Sequence, residues 1–152
     1  MFAQPGSRRM RISAKTEYAC IAMLELASRF GSGEPVRIRT IAERHDVPPR
    51  FLVQILLQLK GAGLVASTRG AAGGYHLLKP PEQVSLGEVM EAIEGSSGDN
   101  GKSSASPDSP AVKVLMQTWR DVDGVQRRML RAVSLAELLQ RARNQDEQMY
   151  YI

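Results

Sequence analysis

Cysteine is almost missing from this sequence. Cys20 stands alone among 152 residues, so no disulfide can form within the chain, and a cross-linked secreted scaffold is excluded. Histidine is nearly as scarce, with only His45 and His76, and neither lies at a spacing that metal sites use. Long apolar runs are absent as well: no uncharged stretch approaches the roughly 20 residues that span a bilayer. Arg8-Arg9 does not open an export signal, because Arg11, Lys15 and Glu17 interrupt the place where an apolar run would have to follow. A cytoplasmic protein without a membrane partner is expected. Catalysis lacks its parts too. No Ser, His and acidic constellation stands out, and the glycine-rich run Gly70 to Gly74 is followed by neither the Lys-Ser nor the Lys-Thr of a phosphate loop. The expectation is a non-enzyme with no cofactor.

What is present is charge, unevenly placed. From Met1 to Lys79 there are twelve Lys or Arg against five Asp or Glu, while Pro80 to Ile152 carries eight against eleven. A basic head joined to a mildly acidic accessory part suits a polyanion partner, although a solvated basic face gives the same count. Hydrophobic content of 43% is enough for a globular core.

Met1 to Arg11 has Pro5, Gly6 and three arginines but no apolar period, and reads as a flexible basic arm (1–11). Ser13 is placed to cap a first helix with Ala19, Ala22, Met23, Leu26 and Phe30 at three- and four-residue spacing, ended by Gly31-Ser32-Gly33. Ile38, Ile41 and Ala42 define a short helix, His45-Asp46-Val47 a turn, and Pro48-Pro49 the start of another helix. Asp46 tolerates the positive φ that such a turn requires, and Ala42 is small enough for two helices to cross. Val47, Leu52, Ile55, Leu56 and Leu59 fall on the inner face, leaving Arg50, Val53, Gln54 and Leu57 on or near the outer one. Leu64 to Ser67 and Tyr75 to Leu78 are strand-like around a glycine-rich connection, which predicts a hairpin wing with Arg69 at its tip. Ser85-Leu86-Gly87-Glu88 is a capping box for a fourth helix ended by Gly95, whose Glu88, Glu91 and Glu94 read as a solvated face. Gly95 to Pro110 has six serines and one alanine as its only apolar side chain, so nothing there can fold alone. An amphipathic helix follows, with Trp119, Val122, Val125, Met129 and Val133 on one stripe, and Ser134 to Glu137 is a further capping box.

These stretches together resemble a known family. MRISAKTEYACIAMLELA, IAERHDVPPRFLVQILLQLKGAGLVASTRGAAGGYHLLKP, VSLGEVMEAIEG and WRDVDGVQRRMLRAVSLAELL look like the IscR, NsrR and CymR group of bacterial winged-helix regulators, the Rrf-two family. The resemblance runs from Met10 to about Leu139, and its most specific part is the continuous run through turn, helix and RGxxGGY wing. It implies a mainly α fold with a small β-hairpin wing: a winged helix-turn-helix head plus a long dimerisation helix. It further implies a homodimer on a pseudo-palindromic operator in double-stranded DNA. Carried over by position, Lys15, Thr16 and Tyr18 approach phosphates, Pro49, Arg50 and Gln54 belong to the recognition helix, and Arg69 with Gly70 forms the wing tip that enters the minor groove. Arginine and glutamine can each pair bidentately with a base edge.

One departure bears on cofactors. Cluster-binding members hold iron–sulfur with cysteines between the short fourth helix and the long one, and this chain has neither cysteine nor histidine in that stretch. The layout expected is thus an arm (1–11), a winged head (12–95), a disordered Ser/Gly-rich linker (96–110), dimerisation helices (111–143) and a tail (144–152), without a metal. The function expected is a cluster-free dimeric regulator, more a repressor than an activator, with an unidentified effector left open. A winged-helix protein-interaction module, or a small-molecule or metal sensor using another site, remain the alternatives. Cys20 reads as a small buried hydrophobe rather than a redox switch, and His45 as either a phosphate contact or a solvated side chain.

Overall fold

The computed structural model describes residues 12–95, 105, 106 and 108–150. The proposed arm (1–11) and most of the linker lie outside the described residues.

Ser13 caps α1 (Ala14–Ser28), its hydroxyl accepting from the Thr16 N–H at 3.1 Å. Ala19, Ala22, Met23, Leu26 and Ala27 of α1 are buried, so this helix runs through the middle of the head and packs on most of the other helices. It ends sooner than the apolar spacing predicts: Arg29 is already its C-cap, and Phe30 lies beyond the helix, 45% exposed.

The short helix α2 (Ile38–His45) and α3 (Pro49–Gly61) follow. Asp46 joins them in the left-handed region, at φ 54° and ψ 45°. Among the described residues it is the one non-glycine with positive φ, as the turn requires. Pro48 is the N-cap of α3 and Pro49 its first residue, where a missing N–H costs no helical hydrogen bond. Strands β1 (Val65–Thr68) and β2 (Gly74–Leu77) form the antiparallel hairpin, with Val65 opposite Leu77 and Thr68 opposite Gly74. Each begins one residue later or earlier than the sequence reading, and Leu78 falls outside, exposed. The hairpin is held along the outer edge of β2 by a pair of 2.8 Å hydrogen bonds between Val36 and Tyr75, a bridge that periodicity did not suggest. A 3-10 turn at Pro81–Gln83 leads to α4 (Leu86–Glu94), capped by Ser85 and ended by Gly95.

α5 (Pro110–Arg131) and α6 (Leu135–Tyr150) follow. α6 runs well into the segment expected to be a tail from residue 144, because Gln140, Arg141 and Arg143 continue the helix with side-chain bonds three or four residues apart. Its first residue, Leu135, is fully buried in the head, and a backbone bridge joins Ser134 to Ser85. α5 differs: none of its residues is buried.

Candidate nucleic-acid interface

Helix α3 is two-faced by simple helical arithmetic. Leu52, Ile55, Leu56 and Leu59 repeat at intervals of three, one and three, and all are fully buried. Arg50, Val53, Gln54 and Leu57 repeat in the same way on the opposite side, and all four are exposed. The Arg50 guanidinium carbon sits 5.0 Å from the centroid of the Phe51 ring, an interaction that restrains this long side chain at the start of the helix. Phe51 in turn meets Tyr18 with ring centroids 5.9 Å apart. Tyr18 of α1 is thereby brought to the first turn of α3. Lys15 and Pro49 are exposed at the starts of α1 and α3.

Thr16 does not join this group. Its side chain is fully buried, accepts from the Ser13 hydroxyl at 2.9 Å and donates to Glu94 Oε1 at 2.9 Å. The resemblance placed Thr16 among residues approaching phosphate, but here its hydroxyl is committed to the end of α4. The carboxylates of α4 are likewise engaged rather than merely solvated. Glu88 pairs with Lys79 at 3.6 Å, Glu91 with Arg131 of α5, and Glu94 with Thr16.

The wing is fastened from two sides. Lys60, at the end of α3, donates to the Ser67 hydroxyl at 2.7 Å, and Arg37, just before α2, donates to the Ala71 carbonyl in the turn. Arg69 and Gly70 are exposed in that turn, Gly70 at φ 102°. Two later glycines are required by contact: a Cβ on Gly73 would lie 2.2 Å from the Thr68 carbonyl oxygen, and one on Gly74 only 2.5 Å from that of Val36. A larger residue at Gly74 would push the wing away from Val36, and one at Gly73 would open the wing's own turn.

Sequence reasoning passed over Glu25. This carboxylate is 3% exposed, yet it sits within 3.3 Å of Arg29 Nε, 3.5 Å of Arg44 Nε and 2.8 Å of His45 Nε2. It fixes the end of α2 to α1, and so sets where α3 emerges. His45 is therefore a Glu25 partner through Nε2 while remaining exposed. The signal was available in principle, since an acidic residue interrupts the apolar stripe of α1 with an arginine four positions later. Arg37 and Lys60 were missed because their partners are main-chain or hydroxyl groups on the wing.

The donor set is poor for a metal. Among the described residues no three His, Cys, Asp or Glu are gathered as metal ligands would be. Cys20 is the one cysteine of the sequence and its thiol is pushed up to about 11, chiefly by burial, whereas a cysteine-held cluster takes several thiolates. These residues do not fit a cysteine-held cluster.

Two helices joined by a left-handed turn, the second with one face buried and the other exposed, and a hairpin carrying an exposed arginine beside them have the form of a winged helix-turn-helix. Comparison with known proteins places it more narrowly. The family model Rrf2, described as iron-dependent transcriptional regulator, matches residues 12–141, and the chain belongs to this family, whose members are transcriptional regulators and not enzymes. The chain is 34% identical over 131 residues to IscR of Aliivibrio salmonicida, covering 86% of this chain and 77% of that protein. Among solved structures it is similar to T. potens IscR, with TM-score 0.73, 34% identity and coverage of 90% and 91% of the two chains. It is also similar to CymR of B. subtilis, with TM-score 0.71, 28% identity and coverage of 86% and 96%. Among the described residues no helix is long and apolar enough to cross a membrane.

Proposed function

We propose that this protein is a homodimeric, cluster-free transcriptional repressor that binds a pseudo-palindromic operator. In this reading α3 enters the major groove with Arg50 and Gln54 on base edges, and Pro49 at its start faces the backbone. Arg69 and Gly70 reach into the adjoining minor groove, where negative potential is enhanced. Lys15 and Tyr18 meet phosphate, and Thr16 acts behind them as a positioning residue. The observation that carries the reading is that Arg50 and Gln54 stand exposed on the very helix whose other side is fully buried. A core position for either would have left nothing to read a base.

Dimerism is supported by α5, where Val114, Leu115, Trp119, Val122, Val125 and Met129 are between 47% and 68% exposed. A stripe of that size is costly in water and suits a second copy related by a two-fold axis. The absence of a cluster is supported by the lone, neutral Cys20. Repression is supported on steric grounds, since two seated heads cover duplex that polymerase would use.

The test is a titration of enriched genomic duplexes across salt concentration. Affinity should fall steeply as salt rises, with a logarithmic slope of about −0.9 per phosphate engaged. Lys15→Ala should flatten that slope by about one unit while treating all sequences alike, and Arg50→Ala or Gln54→Ala should relax base preference instead. Salt-independent binding would sink the reading. Transcription in vitro that rises when protein is added would overturn repression alone.

A further inference from the structure

We infer that Val53 and Leu57 read thymine through its 5-methyl group, making the operator half-site rich in A·T pairs beside the base read by Arg50. The inference rests on the DNA-binding reading above and adds the chemistry of the bases selected.

The outer stripe of α3 is not uniformly polar. Val53 is 46% exposed and Leu57 56% exposed, and they sit one helical turn apart, with Gln54 adjoining Val53 and Arg50 a turn before. A single exposed aliphatic side chain needs no explanation. Two of them interleaved with the only arginine and an exposed glutamine of the same helix are different, because whatever surface meets the polar pair must also meet the apolar pair. At about 1.5 Å per residue the stripe from Arg50 to Leu57 is roughly 10 Å long, which covers about three base-pair steps of 3.4 Å.

The major-groove edge of thymine is the one that offers an apolar group, its C5 methyl, next to an acceptor. The adenine across from it, or beside it, presents the donor and acceptor pair that a glutamine amide matches. Gln54 and Val53 are consecutive, so the two requirements fall on the same or neighbouring pairs. The composition of α3 points the same way by what it omits. Its sequence PRFLVQILLQLKG has no Asp or Glu, the side chains that accept from cytosine N4. Its charges, Arg50 and Lys60, are both positive, which suits a polyanion better than an apolar patch on another protein.

The experiment removes the methyl and leaves the protein alone. Full-length protein is used to enrich sites from random duplex, and the recovered site is resynthesised with deoxyuridine at single thymine positions. One or two positions in each half-site should lose about fourfold in affinity, the worth of burying one methyl-sized group. Thymines outside the contacted pairs should show no change. With Val53→Ala or Leu57→Ala the matching position should become insensitive to the methyl, while the salt slope stays that of the parent protein. If deoxyuridine is tolerated everywhere while salt-dependent, sequence-selective binding persists, the inference is overturned and the DNA-binding reading survives. If no duplex is bound in a salt-dependent way, both fall. If Val53→Ala alters sedimentation instead of methyl sensitivity, the face belongs to a second copy and the inference is overturned.

Discussion

At the scale of single residues, the structure separates side chains that are exposed from those that hold the surface in shape. Lys15 and Thr16 are neighbours in sequence, but one is exposed and the other fully buried. Thr16→Val keeps the volume and removes the donor to Glu94, so it should lower unfolding free energy by about 1 kcal/mol, read as a lower thermal midpoint, without changing the salt slope of DNA binding. Glu94→Gln, which retains an acceptor oxygen, should cost less. Cys20 gives a second test. Its thiol is pushed up from 9.0 to about 11 chiefly by burial, so the folded state favours the neutral form. The resulting contribution to stability is whole below pH 9 and is lost as pH climbs toward 11. Accordingly, iodoacetamide at pH 8 should leave the native protein unmodified by mass while alkylating the unfolded chain.

At the scale of elements, the joint between α1 and α2 matters most. Glu25 is buried while its partners Arg29, Arg44 and His45 keep 43%, 56% and 34% of their side-chain surface, so solvent screens the cationic side of the cluster and reduces its worth. Removing the carboxylate still frees the end of α2. Glu25→Ala should destabilise by about 2 kcal/mol in denaturant titration. It should also weaken operator binding at temperatures where the protein stays folded, because α3 loses its fixed exit angle. A loss of stability with unaltered binding would mean that the turn at Asp46 alone aims α3. The helix-turn-helix was legible in advance because its determinants are local: a small residue at Ala42, a left-handed turn at Asp46, a proline at the first position of α3, and two stripes of opposite polarity. Phe30 was misplaced in the core for the complementary reason. Its spacing fits the stripe, but the helix ends before it, and the cap geometry at Arg29 depends on how the following loop returns toward Val36.

For the whole molecule, the question is what covers α5. None of its residues is buried, although its last residue, Arg131, pairs with Glu91 of α4, while Leu135 of α6 is locked under the head. Trp119→Lys should yield a monomer in analytical ultracentrifugation with the head still folded by circular dichroism. Operator affinity should then fall by about 100-fold or more, since the second half-site no longer binds at high effective concentration. A monomeric parent protein would overturn the homodimer, and a dimeric variant would move the interface elsewhere.

The sequence alone settled the order of elements, the two faces of α3, the left-handed turn and the poverty of thiol ligands, because each is written in spacing over a few residues or in composition. Folding decided the rest. Thr16 left the surface because Glu94, far along the chain, arrives beside it; Glu25 became a clamp because α2 folds its cations onto α1; and the wing took its place because Val36 and Arg37 reach it from before α2. These are contacts between distant segments, set by the meeting of whole elements, and no local period encodes which polar groups will be left facing one another when the core closes.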